Sequence, residues 1–115
     1  IHRIIEEFNI WKNLLETQLQ GKVSTPDDGV KNDWWNINWI PFTSDGCGDH
    51  YCLDLSPTQT GTKGQVITLW HESSEREIVA QSFSVWFKEF VEQLYSGELV
   101  YSQEYNSIVH KDELE

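Results

Sequence analysis

The residues best equipped for chemistry crowd into one short segment: Asp45, Cys47, Asp49, His50, Cys52 and Asp54 lie within ten positions. Carboxylates, thiols and imidazole are the common metal ligands, so a metal site is the first reading to test. Structural zinc sites pair cysteines two to four residues apart, and Cys47 and Cys52 are wider than that. A calcium loop alternates oxygen ligands and closes on a glutamate at its twelfth position, and this segment does neither. The plainer reading is a tight turn in which Gly46 and Gly48 take conformations closed to other residues while Asp45 bonds nearby backbone. His71-Glu72-Ser73-Ser74-Glu75 begins like a zincin helix, but Glu75 stands where the second histidine belongs, and the segment reads as a turn. No G-x-S-x-G, P-loop or G-x-G-x-x-G sequence occurs, so serine-hydrolase and nucleotide-binding readings lack support. Asp27 and Asp28 fall in a polar loop and read as solvated charge. The expectation is no catalytic residue, no metal and no cofactor.

A second cluster suits recognition better than catalysis. Trp34, Trp35 and Trp39 put three indoles in six residues beside a loop. Buried aromatic anchors dominate binding energy at protein interfaces, so Trp34 and Trp35 are candidates for partner contact. The competing role is to pin the loop to the core.

These groups must be held by a single domain, since 115 residues fit one. Six Trp, five Phe and four Tyr supply enough large apolar surface for one core. The chain contains no Met, which implies that it begins downstream of the native start. Two cysteines are too few for a disulfide framework, and no apolar run reaches the 18 residues of a membrane span. The reading is a reduced, cytoplasmic protein. Nineteen acidic against eight basic residues give a net charge of −11. That field repels phosphate backbones and anionic lipid, which argues against direct nucleic-acid or membrane binding, and it favours basic protein partners.

Hydrophobic spacing then orders the elements. Ile1, Ile4, Ile5, Phe8, Trp11, Leu15 and Leu19 form one stripe of a helix over residues 1–20, with Gly21 placed to end it. Residues 22–33 are polar and carry Pro26 and an Asp-Gly step, so they read as a loop. Strands follow at Trp39–Thr43, at Tyr51–Leu55, where Tyr51, Leu53 and Leu55 alternate with Cys52 and Asp54, at Gln65–His71 and at Arg76–Gln81. Their short connections predict an antiparallel meander. Phe83, Trp86, Phe87, Phe90, Val91 and Leu94 share one face of a second helix, capped by Ser82 or Ser84, closed by Gly97, and expected to press on the sheet. Residues 98–115 are weakly patterned, an extension beyond a domain at 1–97. The fold class is α+β: about four antiparallel strands flanked by an N-terminal and a C-terminal amphipathic helix.

One series of motifs resembles a known family. Trp39-Ile40-Pro41-Phe42, Ser44-Asp45-Gly46-Cys47-Gly48-Asp49, Cys52-Leu53-Asp54-Leu55, Gly64-Gln65-Val66-Ile67, and Val79-Ala80-Gln81-Ser82-Phe83 with Trp86-Phe87 stand in the order of the SUKH superfamily. The resemblance covers residues 4–96, with Trp11 in the segment that precedes the Trp-Ile-Pro strand. The family's N-terminal Leu-Pro helix and Asn-Gly turn are missing from it. The resemblance implies an α+β fold and a non-catalytic binding module. The function read from it is that of a bacterial immunity protein, which neutralises a polymorphic toxin, often a nuclease, by direct binding; the alternative is a regulatory or scaffold domain similar to the yeast cell-wall-assembly regulator. It also makes Asp45, Gly46, Gly48 and Asp49 the turn that shapes the family's surface cleft. The expected partner of an immunity protein of this charge is a basic toxin domain.

Overall fold

The computed structural model describes residues 2–45, 47–104 and 107–113, the side chains of Ser107 and Glu113 excepted. The first helix, α1, runs His2–Thr17. Its stripe turns Trp11 into the core and lays Phe8, Leu14 and Leu15 against it. The helix stops four residues before Gly21, which takes φ +75° in the turn closed by Lys22 N–H on Leu19 C=O. Four-residue turns of that kind need a residue tolerant of positive φ, and glycine is one.

The polar loop contains structure that its composition does not announce. Thr25–Pro26 (β1) lies parallel to Glu75–Arg76 (β5), and Val23 bridges Asp33. The main sheet holds Trp39–Pro41 (β2), His50–Asp54 (β3), Gln65–Leu69 (β4) and Ile78–Ala80 (β6) in the order β2-β3-β4-β6, every neighbour antiparallel. The α+β class and the four-stranded meander are therefore as the sequence predicts. The fourth strand is broken where it was expected to be continuous. Thr68 N–H donates to Glu77 C=O and Thr68 Oγ1 accepts from Glu77 N–H, so Glu77 separates β5, paired to β1, from β6, paired to β4.

All five residues of β4 are buried, the apolar and β-branched run Val66–Leu69 as a central strand requires and Gln65 through its bonds to Gly29 C=O and Asp54. In β3 the fully buried face is the polar one. His50, Cys52 and Asp54 are inside, while Tyr51 and Leu53 are half-buried. Asp54 accepts from Ser56 N–H and Gln65 Nε2, and His50 Nδ1 bonds to Thr43 C=O, which offsets most of the cost of burying them, although His50 Nε2 has no partner. The core behind them is Trp11, Val30, Trp35, Trp39, Cys52, Ile67 and Leu69. Trp35 stacks on Trp11 at 6.5 Å between centroids and meets Phe8 edge-on at 5.5 Å.

By its contacts the chain divides into two compact units, Ile1–Phe83 and Ser84–Glu115. The second contains most of α2 (Phe83–Ser96), an antiparallel hairpin of Leu99–Ser102 (β7) and Ser107–His110 (β8), and a short 3-10 turn, Lys111–Glu113. Gly97, at φ +84°, ends α2 where the sequence places the stop. None of the α2 residues is fully buried. Along the helix Trp86 stacks on Phe90 at 5.3 Å and Phe87 on Phe90 at 6.5 Å between centroids.

Candidate functional site

The turn between β2 and β3 is built around two carboxylates with separate tasks. Asp45 Oδ1 accepts from the backbone N–H groups of Cys47 (2.7 Å) and Asp49 (3.1 Å), which fixes the loop from inside. Asp49 Oδ1 reaches across to the end of β4 and accepts from both the backbone N–H and the ring Nδ1 of His71, each at 2.9 Å. Gly48 lies under that ring at φ +97°, where an added Cβ would come within 3.1 Å of the imidazole. Only glycine suits both the backbone angle and the close approach. Gly46 lies outside the described residues.

The electrostatics follow from this clamp. Partial burial works to raise the Asp49 carboxyl, but the ring and amide bonds from His71 outweigh it and hold the group below the usual carboxylate value. The bond to Asp49 raises the His71 imidazole above its ordinary value, against slight desolvation, with help from the charges of Asp49, Glu72 and Asp45. His71 Nε2 also lies 3.4 Å from Glu72 Oε1. The segment is thus an acidic surface knuckle locked by one histidine. Sequence spacing could not pair residues 49 and 71, because the register of β3 against β4 creates the contact.

The six potential ligands of this segment do not converge. Cys47 is exposed and Cys52 is buried, with desolvation pushing its thiol far up and out of the reactive range. Asp54 points into the interior, accepting from Ser56 N–H (2.9 Å) and Gln65 Nε2 (2.9 Å). Among the described residues no three His, Cys, Asp or Glu side chains are placed to hold a metal ion.

The tryptophan cluster separates in the same way. Trp35 and Trp39 are 1% and 0% exposed and offer no surface to a partner. Trp34 is half-buried between two cations, Lys22 Nζ at 3.9 Å and the Arg76 guanidinium carbon at 4.7 Å from its ring centre. Arg76 is fully buried, yet its bonds go to backbone. Nε and Nη2 donate to Trp34 C=O (3.2 and 2.9 Å), and Nη1 donates to Ser73 C=O and Glu75 C=O (2.6 Å each). Desolvation lowers its pKa to about 10, so it stays charged at neutral pH. Residue type alone marks such an arginine as surface; its role as the tie between the Trp34 loop and the β5 turn has no signal in the sequence.

A small α+β domain, with an antiparallel sheet under an N-terminal helix and a glycine-dependent acidic turn at one sheet end, is the class that these features define. A sequence profile of the SMI1/KNR4 family (SUKH-1) matches residues 2–89, and the chain belongs to that family. The resemblance of the motif series from Trp39 onward is thereby borne out. Relatives include the cell wall biosynthesis/cell cycle regulator smi1 of Schizosaccharomyces pombe, 26% identical over 94% of this chain and 24% of its own length. A KNR4/SMI1 homolog of Kluyveromyces lactis is 31% identical over 64% of this chain and 14% of its own length. The cell wall assembly regulator SMI1 of Saccharomyces cerevisiae is 27% identical over 64% of this chain and 15% of its own length. The chain spans about a quarter or less of the length of these relatives.

Proposed function

We propose that this chain is a non-catalytic, cytoplasmic protein-binding domain with a regulatory or scaffold role akin to that of the fungal cell-wall regulators. The family match over residues 2–89 carries the reading, because the relatives it groups with are named as regulators of wall assembly and the cell cycle. Two charged groups in the interior of the first unit support it, since they are spent on internal bonds: Asp54 on Gln65, Arg76 on three carbonyls. The net charge of −11 makes a basic partner the favoured one. The test is deletion of the encoding gene in its source organism, followed by growth under cell-wall stress and co-purification from the complemented strain. Increased wall sensitivity and a stoichiometric protein partner are expected; normal growth with no partner would overturn the reading.

A second reading rests on the acidity itself. A field of this sign complements the cationic cleft of a nuclease, so the chain would neutralise a basic toxin domain as an immunity protein. Co-expression with a toxin encoded beside it separates the two: protection without any wall phenotype favours immunity.

A further inference from the structure

A cavity of about 50 Å³ opens between the first turns of α1 and the chain leaving β2. Arg3 and Glu7 line it from the helix, Thr43 faces them, and Ile4, Pro41 and Phe42 supply apolar walls. A water occupies about 30 Å³ of liquid, so there is room for one small polar group and a short apolar stem.

Glu7 is the one carboxylate that lines the cavity. Its side chain is only 14% exposed, and a carboxylate offers about four acceptor positions. Oε1 accepts from Arg3 Nε at 3.0 Å, but Arg3 is 62% exposed and reaches in from solvent. Oε2 faces Nε2 of the buried His50 at 3.6 Å, beyond hydrogen-bond distance, and that nitrogen has no hydrogen-bond partner. The other ring nitrogen, Nδ1, lies 2.7 Å from Thr43 C=O and therefore carries a proton. Glu7 Oε2, without a hydrogen bond, is thus left to accept from a cation entering the cavity.

We propose that this cavity receives a lysine side chain of a basic partner protein, its ammonium on Glu7 and its methylenes along Ile4, Pro41 and Phe42. The inference rests on the reading of the chain as a protein-binding domain. Charge complementarity favours it, since an ammonium is attracted both by Glu7 and by the whole chain at −11. A compact ammonium fits the volume better than a planar guanidinium. One carboxylate is too few for a divalent ion, which wants six or more oxygen ligands. Arg3 already places a cation on Glu7 and competes with the incoming one.

The test is an NMR titration of the whole chain with a blocked lysine-containing pentapeptide and with its norleucine isostere, which keeps the stem and removes the charge. Saturable shifts of the Glu7 and Thr43 amides with the lysine peptide alone are expected. Glu7→Gln should weaken that binding about tenfold, the worth of one charged hydrogen bond. Arg3→Ala, at an exposed position where folding is not at stake, should tighten it. Equal shifts with norleucine, shifts confined to other acidic surface, or an Arg3→Ala variant that binds no better would overturn the proposal. Those results would leave the binding reading standing, because co-purification of a partner tests it without reference to this cavity.

Discussion

Replacing Gly61 by alanine tests the packing of the first unit at its tightest point. An ideal Cβ on Gly61 would overlap the carbonyl oxygen of Gly29, lie 3.0 Å from the Gly29 carbonyl carbon and lie 2.8 Å from Cβ of Pro57. Two loops cross there without room for a methyl group. Gly61 is not among the glycines with positive φ, so the cost is steric and not conformational. Overpacking of this kind costs about 1–3 kcal/mol. The carbonyl in the way is also an acceptor for buried Gln65 Nε2 (3.0 Å) and for Thr58 N–H (3.2 Å). Moving it strains a buried bond whose loss is worth about 1–3 kcal/mol. The stiffer unfolded chain offsets about 0.4–1 kcal/mol. A net loss of about 1–5 kcal/mol is expected, read from urea unfolding followed by tryptophan fluorescence. The control is Gly64→Ala, where φ is +88° but nothing lies within 4 Å, so the loss should be about 1–2 kcal/mol. A Gly61→Ala variant within ~0.5 kcal/mol of the parent, or less affected than Gly64→Ala, would refute the argument.

Arg76→Lys should cost about 3 kcal/mol despite keeping the charge, because a single ammonium cannot reach the carbonyls of Trp34, Ser73 and Glu75 together; chemical denaturation reads it. Trp35→Ala should cost about 3–5 kcal/mol and Trp34→Ala clearly less, since the first empties the core and the second removes a half-buried ring between two cations. The Asp49–His71 clamp should show in the pH dependence of the urea midpoint. His71 has a raised pKa, so its contribution is full below the ordinary histidine value and is lost as pH rises through the folded one. Asp49 has a lowered pKa, so its contribution is present above 3.8 and is lost as pH falls through the folded value. His71→Gln should flatten the alkaline limb, and Gly48→Ala, by pushing on the ring, should return the His71 titration seen by NMR towards its ordinary value. An unchanged titration in Gly48→Ala would contradict the clamp.

Element types and the α+β class were readable because long periodic stretches carry them: the Phe8–Trp11–Leu15 stripe, the five buried residues of β4 and the Phe83–Leu94 face. The turn at Asp45–Asp49 was readable from glycine and aspartate chemistry, which is local. What the residues could not tell was whatever depends on two distant segments meeting. Asp49 finds His71 only through the β3–β4 register, and β1 in the polar loop exists only because β5 lies beside it. Burial of His50, Asp54 and Arg76 runs against residue type, and it is tolerated through bonds to Thr43, Gln65 and three carbonyls that no spacing announces. Trp34 and Trp35 are adjacent in sequence, yet one is half-exposed and the other sealed, because an irregular segment need not alternate its side chains.

Charge-guided protein binding is what we propose for this acidic domain. Its most direct test is the association rate of the purified chain with the partner it co-purifies from its source cells, measured at low and at high salt. A 1:1 complex whose on-rate falls about tenfold or more between ~50 and ~500 mM salt, with little change in off-rate, is predicted. A salt-independent on-rate would contradict the account, and so would the absence of any stoichiometric protein partner.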